Sequence, residues 1–101
     1  MNKRIKIITG ASGYIGKALT KEFNKKKINF IGIDKEPKKD RSVIKLDLKD
    51  KIKTFKFFNK FDCDEIFHFG TYSAAAYKKK FKVCFMEDLV SLQNLLFSIK
   101  K

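Results

Sequence analysis

The chain has 101 residues, which predicts a single domain with a modest core. Hydrophobic residues make up 44%, with eleven Phe, so the composition excludes a disordered chain, and no run approaches the roughly 20 apolar residues of a membrane span. The 24 Lys and Arg against 11 Asp and Glu give a formal charge of +13, yet the cations are spread along the whole chain, and no nucleic-acid-binding module accompanies them.

Met1-Asn2-Lys3-Arg4 resembles the basic start of a signal peptide, but glycines interrupt the sequence before an apolar region develops. Arg4 to Thr9 contains Ile5, Ile7 and Ile8, the β-branched pattern of a buried parallel strand. Gly10, Gly13 and Gly16 follow at intervals of three. Glycine takes φ > 0 in the tight turn leaving a strand, and without a Cβ it lets backbone approach a phosphate. The third glycine lets the next helix pack closely, so that its N-terminal amides point at the anion. Ser12 within this turn offers a hydroxyl or amide to phosphate, since its surroundings are not those of a nucleophile elbow. Ile15, Ala18, Leu19 and Phe23 then recur at helical spacing, opposite Lys17, Lys21, Glu22 and Lys25.

A second strand, Phe30-Ile31-Gly32-Ile33, ends in Asp34, which lies about 18 positions beyond Gly16. That is close to where the acid of a dinucleotide-binding βαβ unit accepts hydrogen bonds from ribose hydroxyls. Lys35 to Ser42, with the single proline, reads as a linker. Val43 to Leu46 forms the third strand, and Asp47-Leu48-Lys49-Asp50 leads into a helix with Asp50 as N-cap and Ile52, Phe55 and Phe58 on one face. Phe55, Phe57, Phe58 and Phe61 are assigned to the core rather than to a base-stacking platform. Glu65 to Phe69 forms the fourth strand, Tyr77 to Lys80 a solvated loop, and Phe85, Leu89, Leu92, Leu96 and Ile99 one stripe of a long final helix. Connections long enough for helices imply parallel strands, and right-handed crossovers give the order 3-2-1-4. The expected fold is a Rossmann-type α/β sheet flanked by helices, truncated at about four strands.

Cys63 and Cys84 have neither disulfide nor metal-ligand spacing and read as core residues in a reducing, cytoplasmic compartment. His68, the only histidine, has no Ser/Asp or Cys/Asp constellation around it and reads as a structural residue at a strand end.

Thr9-Gly10-Ala11-Ser12-Gly13-Tyr14-Ile15-Gly16 resembles the TGxxGxxG loop of the extended short-chain dehydrogenase/reductases, and its ending is similar to that of the NAD-dependent, UDP-glucose 4-epimerase-like epimerases and dehydratases. Asp47-Leu48-Lys49-Asp50 resembles the segment after their third strand, Ile66 to Thr71 their fourth-strand ending, and Leu89 to Leu96 their Val-x-Gly-Thr-x-Asn-Leu-Leu helix. Asp88 stands where the family commonly has Asn, and Ser91-Leu92 where it has Gly-Thr.

The resemblance implies that residues 1–101 form one partial NAD(P)-binding domain. It implies NAD held by Gly10, Ser12, Gly13, Tyr14, Ile15, Gly16, Asp34, Lys35, Asp47, Leu48, Phe69, Gly70 and Thr71. It also implies chemistry on a nucleotide sugar by a Tyr-x-x-x-Lys pair. Tyr14, Tyr72 and Tyr77 are followed four residues later by Ala18, Ala76 and Phe81, so that pair is missing and no catalytic residue is assigned. The expected partners are a nucleotide sugar only where a C-terminal region completes the chain, and a second copy through an open sheet edge. A membrane and specific nucleic acid are not expected. A non-catalytic NAD-binding module and a basic phosphate-binding protein on the same fold remain open alternatives.

Overall fold

The computed structural model describes residues 4–99. The basic start Met1 to Lys3 lies outside the described residues. The elements run β1 (Arg4–Thr9), α1 (Tyr14–Lys25), β2 (Phe30–Asp34), β3 (Val43–Lys45), α2 (Lys51–Phe58), β4 (Asp62–His68) and α3 (Ala74–Ile99). All pairings are parallel, in the order β3-β2-β1-β4, as the crossover argument predicts. In the central strand Ile7 and Ile8 point to opposite faces and are both fully buried, because helices cover both sides of a parallel sheet. Ile7 packs with Ile33, Leu46, Leu48, Phe57, Phe58 and Leu95 on one face, while Ile8 packs with Ala11, Phe23 and Val43 on the other.

The helices bury different faces from those their sequence periodicity predicts. Asp50 does cap α2, its carboxylate accepting from the Lys53 amide at 3.0 Å. However, α2 buries Thr54, Phe57 and Phe58 and leaves Ile52 and Phe55 in solvent. Tyr14, Ile15 and Ala18 of α1 are exposed, and Phe23, with the half-buried Leu19, carries its hydrophobic packing. Tyr77 to Lys80 is not a loop: it forms the first turns of α3, which kinks at Lys80, where φ is −142° and ψ 64°. Beyond the kink α3 buries Cys84, Ser91, Asn94, Leu95 and Ser98, whereas Phe85, Leu89, Leu92 and Leu96 form an outward stripe, Leu96 being 53% exposed. Small side chains on the inner face let the helix approach α2 and the loop after β3. There the Asn94 amide donates to the carbonyls of Leu48 and Lys49 at 2.8 and 3.2 Å. Cys84 is buried and Cys63 half-buried, both as free thiols.

Gly16 shows how tightly α1 sits on the strand that feeds it. A Cβ there would come within 2.1 Å of the Gly10 carbonyl oxygen, which is backbone and cannot swing away. Gly16→Ala should therefore lower the unfolding free energy by about 1–3 kcal/mol, the usual cost of overpacking. For a domain of this size each kcal/mol moves the melting temperature by roughly 4–8 °C. A thermal melt superimposable on that of the parent would contradict the packing argument.

Candidate functional site

The exits of β1, β2 and β4 meet at one end of the sheet, stitched together by short polar contacts. Gly10 turns the chain at φ +65°, and an added Cβ would lie 2.5 Å from the Phe69 carbonyl carbon, so β4 leaves directly against the turn. The Thr9 carbonyl accepts from the Phe69 amide at 3.2 Å, and the Thr9 hydroxyl oxygen accepts from the Gly70 amide at 3.0 Å. That hydroxyl also shares a 2.6 Å hydrogen bond with His68 Nδ1. On the other flank the Asp34 carboxylate accepts from the amides of Ser12 at 3.0 Å and Glu36 at 2.9 Å. The Ser12 hydroxyl donates to the Pro37 carbonyl at 3.1 Å. Ser12 thus directs its amide to the end of β2 and its hydroxyl to the chain beyond, whereas the sequence directs one of them to phosphate.

These contacts leave a cavity of about 280 Å³ at the carboxyl ends of the strands, close to the lower limit of small-molecule pockets. Gly10, Gly13, Asp34, Lys35, Asp47, Leu48, Phe69, Gly70 and Thr71 all line it. Four other residues that the sequence assigns to the site lie off its wall. Ser12 and Gly16 are buried beneath the turn, while Tyr14, 95% exposed, and Ile15 project outwards. Tyr14, Ile15 and Gly16 form the first turn of α1, whose N-cap Gly13 supplies no side-chain hydrogen bond. The first amides of a helix lack intrahelical acceptors, and the helix dipole is positive there.

The far wall is built by Tyr72, Glu87 and Asp88, which the sequence does not assign to the site, together with Lys49. The Tyr72 amide donates to both Asp88 carboxylate oxygens at 3.2 Å, and the Tyr72 hydroxyl donates to Glu87 at 2.5 Å. Lys49 donates to the same Glu87 oxygen at 3.0 Å, and Lys35 lies 4.3 Å from the centre of the Tyr72 ring. Hydrogen bonds from Tyr72 and Lys49 hold the Glu87 carboxyl below its ordinary value, and the bond to Glu87 raises the Lys49 ammonium above its own. Tyr77 donates to Asp88 at 2.6 Å, an interaction that, with desolvation, pushes the phenol up to about 12. Adjacency to Thr71 could have pointed to Tyr72, and the family pattern to Asp88, whereas Glu87 carries no such signal.

A second hollow of about 350 Å³ lies beside the first, lined by His68, Thr71, Tyr77, Phe85, Asp88, Leu89 and Leu92. Among the described residues His68 Nε2 is buried without a hydrogen-bond partner, and burial pushes the imidazole below its ordinary value.

Sheet order, glycine turn and cavity position together define a Rossmann-type α/β unit. The family model "NAD dependent epimerase/dehydratase family" matches residues 6–101, and the chain belongs to that family. It is similar in structure to L-threonine dehydrogenase from Clostridium difficile, with a TM-score of 0.82 and 27% identity over 97% of this chain and 33% of that one. UDP-glucose 4-epimerase from Thermus thermophilus, solved in complex with NAD, gives a TM-score of 0.81 at 20% identity, covering 93% of this chain and 33% of that one. UDP-glucose 4-epimerase from Thermotoga maritima, solved with UDP-glucose, gives 0.79 at 17% identity, covering 93% and 33%. The chain spans about a third of the length of these proteins. No curated protein matches it in sequence. Among the described residues no helix is long and apolar enough to cross a membrane.

The depressed His68 value has a definite sign in folding. An unfolded histidine titrates near 6.5, so below that pH the unfolded chain binds a proton that the folded chain resists. Stability should fall as pH drops from 7.5 to 5.5, above the range where ordinary carboxylates titrate. His68→Gln should flatten that slope. Urea unfolding of both proteins at the two pH values measures it, and equal slopes would exclude His68 as the source.

Proposed function

We propose that the chain is the NAD-binding N-terminal portion of an epimerase/dehydratase-type protein and does not turn over substrate by itself. The carrying observation is the glycine turn at the C-terminal end of β1, with Gly10 and Gly13 on the cavity wall and Asp34 at the same cavity. A dinucleotide fits this chemistry. A Cβ at Gly10 would press into the backbone of Phe69 and Gly70, so only glycine keeps the cradle open. The first amides of α1 would receive the pyrophosphate. The Asp34 carboxylate, already oriented by two backbone amides, has lone pairs left for ribose hydroxyls. Asp47 and Leu48 would border the adenine, and Phe69 to Thr71 the passage towards the nicotinamide. When bound, the cofactor supplies a hydride acceptor and donor.

The proton-transfer half of such a reaction has no candidate among the described tyrosines. Tyr77 is held protonated by Asp88, the opposite of what a base requires, and Tyr72 is committed to Glu87. Positioned acid–base groups contribute on the order of 10²- to 10⁴-fold to a rate. The partner reading extends from the same features: among the described residues β4 has a neighbour on one side only, and α3 presents Phe85, Leu89, Leu92 and Leu96 outwards. A free strand edge beside apolar surface favours self-association, or pairing with a segment that completes the sheet. The reading places the chain in the cytoplasm.

Calorimetric titration at moderate salt should show NAD bound more tightly than NADP, because a carboxylate at Asp34 accepts a 2′-hydroxyl and repels a 2′-phosphate. Two unit charges about 4 Å apart near a surface interact by a few kcal/mol before screening. Asp34→Asn removes the charge, and its single carbonyl oxygen leaves one of the two backbone amides facing an N–H₂, so it should lose the preference for NAD together with some affinity for both cofactors. Equal binding of both cofactors by the parent would refute the assignment.

Incubation with NAD and UDP-glucose or UDP-galactose should yield no interconversion, and sedimentation should show concentration-dependent association. Product formation abolished by Gly13→Asp would refute the first expectation, and a monomer at all concentrations the second.

A further inference from the structure

The cavity wall carries charge of the opposite sign to the chain. Six ionisable side chains of the Asp, Glu and Lys types line it: Asp34, Asp47, Glu87 and Asp88 against Lys35 and Lys49, a net negative lining in a protein of formal charge +13. The two lysines flank the Asp34 and Asp47 end, and both are already engaged. Lys49 donates to Glu87 at 3.0 Å. Lys35 donates to the Tyr72 hydroxyl oxygen at 3.3 Å, and that hydroxyl donates to the same Glu87 oxygen. One carboxylate on α3 therefore restrains both ammonium groups, one directly and one through a tyrosine.

We propose that Glu87 is a specificity-determining residue of the cofactor site: by holding Lys35 and Lys49 it denies them to a 2′-phosphate and keeps the cavity selective for the unphosphorylated ribose. The inference rests on the reading that NAD occupies this cavity with its adenosine ribose at Asp34. Asp34 supplies direct repulsion of an added phosphate. Lys35, its sequence neighbour, would cancel that repulsion if its ammonium were free to turn towards the phosphate. Glu87 prevents the cancellation by offering a competing carboxylate through Tyr72, and it engages Lys49 directly. Lys49 and Glu87 are 35% and 33% exposed, so the restraint is that of partly screened ion pairs. Its removal should change the ratio of affinities by about three- to tenfold rather than by orders of magnitude.

The experiment is a set of equilibrium titrations of NAD and NADP into the parent chain, Glu87→Gln, Tyr72→Phe and the double variant Glu87→Gln/Lys35→Gln, with thermal melts confirming that each is folded. Glu87→Gln should tighten NADP about three- to tenfold and move NAD less than about twofold, and the gain should shrink as salt rises. Tyr72→Phe keeps the ring and breaks only the link from Lys35 to Glu87, so it should give a smaller shift in the same direction. It carries the test alone if Glu87→Gln does not fold. The double variant should return part of the gain, which identifies Lys35 as a recipient of the phosphate. An unchanged NAD-to-NADP ratio in both single variants, with NAD still bound by the parent, would overturn the role of Glu87 and leave the NAD site standing. A parent that binds neither cofactor would overturn both.

Discussion

Everything at the site depends on the close approach of three backbone segments around Gly10. β1 ends just before it, α1 begins at Tyr14, and β4 leaves alongside. A side chain at Gly10 would meet the Phe69 carbonyl, and one at Gly16 would meet the Gly10 carbonyl. Because neither position carries a Cβ, the Thr9 hydroxyl can bind the Gly70 amide and His68 while the Thr9 carbonyl binds the Phe69 amide. β2 joins the arrangement through the Asp34 carboxylate on the Ser12 amide. The cavity is a consequence of this convergence. Parallel strands bring all their carboxyl ends to one edge, and the segments leaving that edge part around the glycine turn.

The placement of charge separates the surface of the protein from its site. A chain of formal charge +13 would be expected to use cations wherever it meets phosphate, yet the cavity wall is net negative and its two lysines are paired with Glu87 or Tyr72. The fixed backbone donors at the start of α1 carry partial positive charge without a mobile ammonium. Lys25 to Lys27, Lys78 to Lys80 and Lys82 lie exposed on the helices or just beyond them. Exposed cations of this kind favour solubility and the long-range attraction of anions.

The strands and the turn were legible in the sequence because each has a local cause. β-branched residues mark β1 and β2, the glycines mark the bend, and Asp50 marks the start of α2. The sheet order followed from crossover handedness, which does not depend on side chains. Helix faces were not legible to the same degree. The four-three spacing of Phe85, Leu89, Leu92 and Leu96 correctly indicates a helix, but periodicity says nothing of what a stripe faces, and here it faces outwards. The packed side is drawn by Ser91, Asn94 and Ser98, small or polar residues that a hydrophobic pattern passes over. They are needed because the helix lies against the backbone of Leu48 and Lys49, where Asn94 makes hydrogen bonds a leucine could not. The same limit applies to α2, where the predicted Ile52 and Phe55 face solvent, and to Tyr77 to Lys80, whose charge run conceals a helical turn. Nine of the thirteen site residues assigned from the sequence reach the cavity wall, since they sit in loops fixed by strand ends. The far wall was not legible, because Tyr72, Glu87 and Lys49 meet through tertiary folding alone.

Asp88 ties these strands of argument together. Where relatives commonly carry an amide, this chain has a carboxylate, and its environment consists of donors: the Tyr72 amide on both oxygens and the Tyr77 hydroxyl on one. An asparagine has a single carbonyl oxygen and would face one of those donors with its own N–H₂. The acid therefore suits the local backbone and holds Tyr77 as a hydrogen-bond donor, its phenol pushed up to about 12. That commitment pins the first turns of α3, just before its kink at Lys80, to the turns that follow. It also withdraws the tyrosine closest to the second hollow from acid–base work. With Tyr72 bound to Glu87 and Tyr14 exposed on α1, each described tyrosine has a structural or solvent-facing position.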